Sequence, residues 1–82
     1  MLVLLTPKAS KQYNHLPKTE QVKIKKKLLA LGKNFREGKK LSGEYSELRS
    51  LKVWPYRIIY YLDKEKRKIF VVTIAHRQGV YK

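Results

Sequence analysis

The sequence predicts a small α+β domain: one strand, a two-helix hairpin, then a three-stranded antiparallel meander, with the helices packed on one face of a small sheet. Three observations carry that expectation. Apolar residues recur at helical spacing in the first half of the chain, as Ile24, Leu28 and Leu31 do. From "ELRSLKVW" onward the period becomes the two-residue alternation of a strand. Finally, the charged run "DKEKRK" separates "YRIIYYL" from "IFVVTIA", as a hairpin turn separates two strands rich in β-branched and aromatic residues.

The first strand is expected over residues 3–5. Thr6-Pro7 then reads as a helix start, a hydroxyl cap followed by proline at the first helical position, where a missing N–H does no harm. Ala9, Tyr13 and Leu16 continue at helical spacing and predict a short helix over residues 8–15. Leu16-Pro17 breaks it, and Pro17 can itself open a second helix. There Ile24, Leu28 and Leu31 form the apolar stripe, while Lys23, Lys26, Lys27 and Lys33 lie mainly away from it. Gly32 is expected to end this helix, although Phe35 would extend the stripe. So short a break between two helices favours an antiparallel hairpin.

"FREGKKLSGEYS" holds Gly38 and Gly43 among polar residues and is expected to be a loop. In the strand that follows, Arg49, Leu51 and Val53 share one face and Ser50 and Lys52 the other. Pro55 interrupts before "YRIIYYL". The last strand, "IFVVTIA", is the most apolar and is expected to be central in the sheet. With no internal repeat and no composition shift, residues 1–82 are expected to form a single domain.

Composition limits the function classes. An apolar share of 43% suffices for one modest core and is too high for a disordered tail. The chain has no cysteine, which rules out disulfides and thiolate metal sites and fits a reducing cytoplasm. "MLVLL" is too short for a signal peptide, and nothing approaches the ~20 apolar residues of a membrane helix, so no membrane partner is expected. Twenty Lys and Arg against six Asp and Glu give a formal charge of +14. Such an excess attracts polyanions from a distance. Nucleic acid is the expected partner, with an acidic protein that masks the charge as a second; a solvated basic surface without a specific partner is the plainer alternative.

Candidate chemistry gathers in the sheet half. Lys52 and Arg57 stand on neighbouring strands and Arg77 follows the last one, so a meander could gather these cations on the face the helices leave open. Tyr56, Tyr60, Tyr61 and Tyr81 are close in sequence, and cations among aromatic rings suit RNA, with guanidinium groups on phosphates and rings on bases. Tyr56 and Tyr60 share parity with Ile58 and Leu62 and are expected in the core. Arg57 shares a face with Ile59 and Tyr61, and the pattern alone does not separate a structural from a functional arginine. No paired carboxylates, metal-spaced His/Asp/Glu cluster or phosphate-cradling glycine loop is present, so neither metal nor cofactor is expected. Because His15 lies in the first helix, a two-histidine ribonuclease arrangement with His76 is not expected. Phosphoryl chemistry would rest on Lys, Arg, Tyr and His76, which suffices when the nucleophile is the RNA's own 2′-hydroxyl.

"LKVWPYRIIYYL" followed by "IFVVTIAHRQGVYK" resembles the RelE/ParE toxin superfamily of bacterial and archaeal toxin–antitoxin systems. Members show a leucine-basic-valine…tyrosine-arginine strand, an apolar strand, and a terminal arginine and tyrosine. The early strand, "HLPKTEQVKIKKKLLAL" and "KLSGEYSELR" agree as well, so the likeness spans nearly the whole chain, and "HRxxVY" leans toward the RelE branch. The resemblance implies a metal-independent endoribonuclease, an mRNA interferase that enters the ribosomal A site, cuts the codon there and stops translation. It implies that Arg57 and Arg77 stabilise the phosphate and that Tyr81 orients the reacting nucleotide. Lys52 would act as proton acceptor or electrostatic stabiliser. Beside the family motif, Lys82 and Tyr61 are expected to contact RNA. Such toxins can carry two lysines in this strand, whereas Arg49 and Ser50 stand nearby here, which makes Arg49 a further candidate and an altered activity an open matter. His76 is expected to be a packing residue, with proton donation as its alternative role.

The partners so implied are a small acidic cognate antitoxin, the mRNA, and the ribosome with its rRNA. Operator DNA would be reached only through the antitoxin. Two other readings stand beside this one: a ParE-like inhibitor of DNA gyrase, and a non-catalytic RNA-binding module of the same fold.

Overall fold

The computed structural model of the chain describes residues 1–35, 38–40 and 48–76. Their order is β1 (Leu2–Leu5), α1 (Pro7–Asn14), α2 (Lys18–Lys33), β2 (Lys39–Lys40), β3 (Leu48–Val53), β4 (Tyr56–Asp63) and β5 (Lys68–His76). Among the described residues these strands form one sheet in the order β1-β5-β4-β3-β2. The last three make the expected antiparallel meander. β1 joins it in parallel, pairing Leu2 with Lys68 through Leu5 with Val71. A parallel partner needs a long crossover, and the α1–α2 hairpin lies in it.

α1 begins as its sequence dictates. Thr6 is the N-cap, its Oγ1 accepting from Ala9 N at 3.2 Å, and Pro7 follows at the first helical position. The helix also completes the sheet edge beyond β1. Thr6 N donates to Val71 O at 3.0 Å and Thr6 Oγ1 to Val72 O at 3.2 Å. Gln12 Oε1 accepts from Ile74 N at 2.7 Å and from Thr73 Oγ1 at 3.1 Å. The helix hairpin is clasped by Gln21, whose Nε2 donates to Tyr13 O and Leu16 O, both at 3.1 Å, while Tyr13 Oη donates to Gln21 O at 3.2 Å.

Ala9, Ile24, Leu28 and Leu31 of the helices meet Leu51, Val53, Ile58, Tyr60, Leu62, Ile69, Val71 and Ile74 of the sheet in one core. Tyr60 is fully buried, and its hydroxyl accepts from Gly38 N and donates to Phe35 O, each at 2.9 Å. An added Cβ on Gly38 would stand 2.6 Å from that oxygen, so only glycine allows the loop this close.

Four details depart from the sequence expectations. α2 runs through Gly32 to Lys33, because Gly32 packs against Met1: its carbonyl accepts from the Met1 amino group at 2.7 Å, and a Cβ would sit 3.1 Å from Met1 O. β2 pairs Lys39 with Ser50 and Lys40 with Arg49 where a loop was expected, two residues being too few to show an alternation. β5 is interior, but β4 is the middle strand, since β1 and β2 add one strand to either side of the meander. Finally, a β-bulge shifts the register between Ile59↔Thr73 and Tyr60↔Val71, leaving Val72 as the extra residue.

Candidate active site on the open face of the sheet

β3 and β4 meet residue for residue, so face assignments follow directly from the register. Lys52 stands opposite Arg57, and Arg57 stands opposite Ala75 of β5. Val53 and Ile58, the neighbours of Lys52 and Arg57, are buried in the core, which turns the two cations to the other face. Directly opposed residues have Cβ atoms about 4.5–5.5 Å apart, and like charges so placed repel. An anion lying between Lys52 and Arg57 relieves that repulsion, and the small side chain of Ala75 leaves Arg57 room on its far side.

The same face turns apolar farther along. Ser50 opposes Ile59, and Leu48 opposes Tyr61, which in turn opposes Phe70. Tyr61 is 39% exposed. The open face thus carries a cationic end beside the β3–β4 turn and an aromatic, aliphatic middle. A phosphate fits the first and a base or ribose ring the second.

Other candidates go elsewhere. Arg49 has the parity of Leu51 and Val53, and its Nη1 donates to Gly38 O at 3.0 Å on the core side of the sheet. His76 opposes Tyr56, and their rings meet edge to face at 5.6 Å and 89°. The bulge at Val72 decides this placement. Strict alternation from Ile69 and Val71 would turn Thr73 and Ala75 inward and His76 toward Arg57; the extra residue turns Ile74 and His76 to the helix side instead. There His76 lines a groove with Lys8, Lys11, Gln12, His15, Leu16 and Tyr56. His15, the C-cap that follows α1, lines the same groove as His76. Arg77, Tyr81 and Lys82 lie outside the described residues.

Sequence reasoning passed over Trp54, which is 67% exposed at the tip of the β3–β4 turn. Its signal was legible: a tryptophan beside a proline at a strand end, next to Lys52. Among the described residues, no three His, Cys, Asp or Glu side chains gather as a metal site, and no helix is long and apolar enough to cross a membrane.

Residues 3–81 match a protein family described as ParE toxin of type II toxin-antitoxin system, parDE. No curated protein sequence matches the chain. Solved structures do. The isolated RelE toxin of E. coli is 27% identical with a TM-score of 0.81, over 92% of this chain and 82% of that one. A mutant of the same toxin, in complex with an antitoxin RelBc peptide, is 28% identical with a TM-score of 0.79, over 98% and 88%. The toxin–antitoxin complex RelBE2 of Mycobacterium tuberculosis shares the fold at 24% identity, with a TM-score of 0.82 over 93% and 90%.

Proposed function

This chain belongs to the RelE/ParE superfamily of type II toxins, and on that premise we propose that it is a ribosome-dependent endoribonuclease that cuts mRNA in the A site and halts translation. The observation that supports this best is the Lys52–Arg57 pair on the open face, beside a stretch of sheet that suits bases and riboses. The likeness to RelE extends over nearly the whole chain.

In this reading the codon's 2′-hydroxyl is the nucleophile. Its oxygen attacks the adjacent phosphorus as the bond to the 5′-oxygen breaks, leaving a 2′,3′-cyclic phosphate, and the departing 5′-oxygen takes a proton from solvent to become a hydroxyl. Negative charge grows on the non-bridging oxygens, and Arg57 and Arg77 meet it. Lys52 accepts the 2′ proton or, while charged, shares in stabilising the phosphate. Tyr81 orients the reacting nucleotide, and Lys82 and Tyr61 hold flanking RNA. His76 serves packing through Tyr56, so His76→Ala costs less activity than Arg77→Ala. Arg49 acts through the sheet, by its bond to Gly38 O. The reaction needs no metal, because two cations supply the electrostatic stabilisation a metal would give. The ribosome supplies in-line alignment of the mRNA, so free RNA is cut poorly.

A small acidic antitoxin is the proposed partner, as relatives of this fold are solved in complex with antitoxins. The +14 charge speeds that association, and operator DNA is reached only through the antitoxin. Gyrase inhibition is the second reading, favoured by the name of the family that matches. Expression of the chain without an antitoxin, followed by mapping of mRNA 5′ ends, separates the two. New ends inside codons, with translation arrested, support cleavage. Intact mRNA with a DNA-damage response supports the gyrase reading.

A further inference from the structure

We propose that Trp54 is a stacking platform for a nucleobase of the RNA engaged by Lys52 and Arg57; the inference rests on the RNA-cleaving reading of the open face. A tryptophan side chain is large and mostly apolar, and this residue is 67% exposed to water. Its place is set by the register. Val53 and Tyr56 form the last pair of the β3–β4 ladder, so the turn begins one pair beyond Lys52–Arg57. Only Val53 stands between Lys52 and Trp54, so their Cα atoms are at most about 7.6 Å apart, a distance that one nucleotide of a single strand bridges.

The turn is also anchored. Lys23 Nζ of α2 donates to Trp54 O at 2.7 Å and pairs with Glu20 Oε2 at 2.8 Å, which ties the hairpin tip to the first turns of α2. An indole on a tethered backbone loses little freedom when a base covers it. The surrounding charge selects the occupant. Lys52 and Arg57 stand just before the tip, so a phosphodiester chain is drawn there and its bases are brought to the ring. Every base has a π-face, so the contact adds affinity and register and leaves codon identity to other groups.

The chain has a single tryptophan, which makes its emission a direct reporter of this contact. The probe is a short single-stranded RNA of mixed sequence, with 2′-methoxy groups throughout so that it cannot be cut. Unlabelled RNA is titrated against Trp54 emission, and end-labelled RNA is followed separately by anisotropy. Saturable quenching with the same midpoint as the anisotropy curve is expected. Trp54→Ala should bind about 5- to 150-fold more weakly, the range spanned by base–aromatic stacking. Trp54→Phe, which keeps a ring, should recover most of that loss. An unchanged thermal melt of Trp54→Ala assigns the loss to the missing ring; should that variant unfold, the phenylalanine variant and the quenching decide. Anisotropic binding with unchanged emission overturns the stacking and leaves the RNA reading standing. So does undiminished RNA binding by Trp54→Ala, including the case in which only antitoxin affinity falls. No binding at low salt, seen by anisotropy, overturns both.

Discussion

Tyr60 shows at the scale of one residue how a buried polar atom fixes a loop. Its hydroxyl joins Gly38 N to Phe35 O inside the core. Tyr60→Phe removes both bonds and leaves a buried N–H and a carbonyl without that partner, at a cost of about 1–3 kcal/mol. Thermal unfolding should therefore fall by roughly 4–8 °C per kcal/mol in a domain of this size. Arg49 divides stability from catalysis in a similar way. Arg49→Ala loses its bond to Gly38 O on the core side, so the unfolding free energy from denaturant melts should fall by about 1 kcal/mol. Its cleavage rate at saturating protein should stay within a few-fold of the native rate, whereas Lys52→Ala should lose cleavage with little change in stability. The facing of Lys52 and Arg57 was legible from parity alone, as was the burial of Tyr60. The side of His76 was not, because a single extra residue at Val72 reverses the alternation and no local signal marks it. Trp54 was visible in the sequence but was passed over.

The elements owe their arrangement to how their edges are satisfied. β1 covers β5 only as far as Val71, and beyond it α1 supplies the acceptors and donors. Gln12 is the main one, holding Ile74 N and Thr73 Oγ1. Gln12→Ala should leave the fold intact but open this end of β5. Amide exchange at Ile74 should speed by about 5-fold, for a bond worth ~1 kcal/mol, while Ile58 in the same sheet keeps its protection. Equal acceleration at both would mean that Gln12 acts on global stability instead. The helices, the turn "DKEKRK" and the three-strand meander were readable from periodicity. The parallel seat of β1 and the short β2 were not, since they depend on pairing between distant segments and on only two residues.

Over the whole molecule, charge and shape act together. Helices cover one face of the sheet, and the other is left to Lys52, Arg57 and Tyr61, in a chain carrying +14. Binding to single-stranded RNA should therefore depend on salt. With ~3–5 phosphates neutralised, log K should fall against log salt with a slope of roughly −2 to −3.5. A flat dependence, measured by anisotropy, would show that the surface charge is idle. The proposed cleavage meets its most direct test in single-turnover kinetics on programmed ribosomes, with the A-site codon carrying either 2′-hydroxyl or 2′-methoxy groups. The native protein should cut the hydroxyl codon and leave the methoxy codon whole. Arg57→Ala should cut about 100- to 1,000-fold more slowly, the effect of losing one well-placed group from the transition state, with ribosome affinity changed only a few-fold. Cleavage of the methoxy codon, or an Arg57→Ala protein as fast as the native one, would contradict the chemistry assigned to the open face.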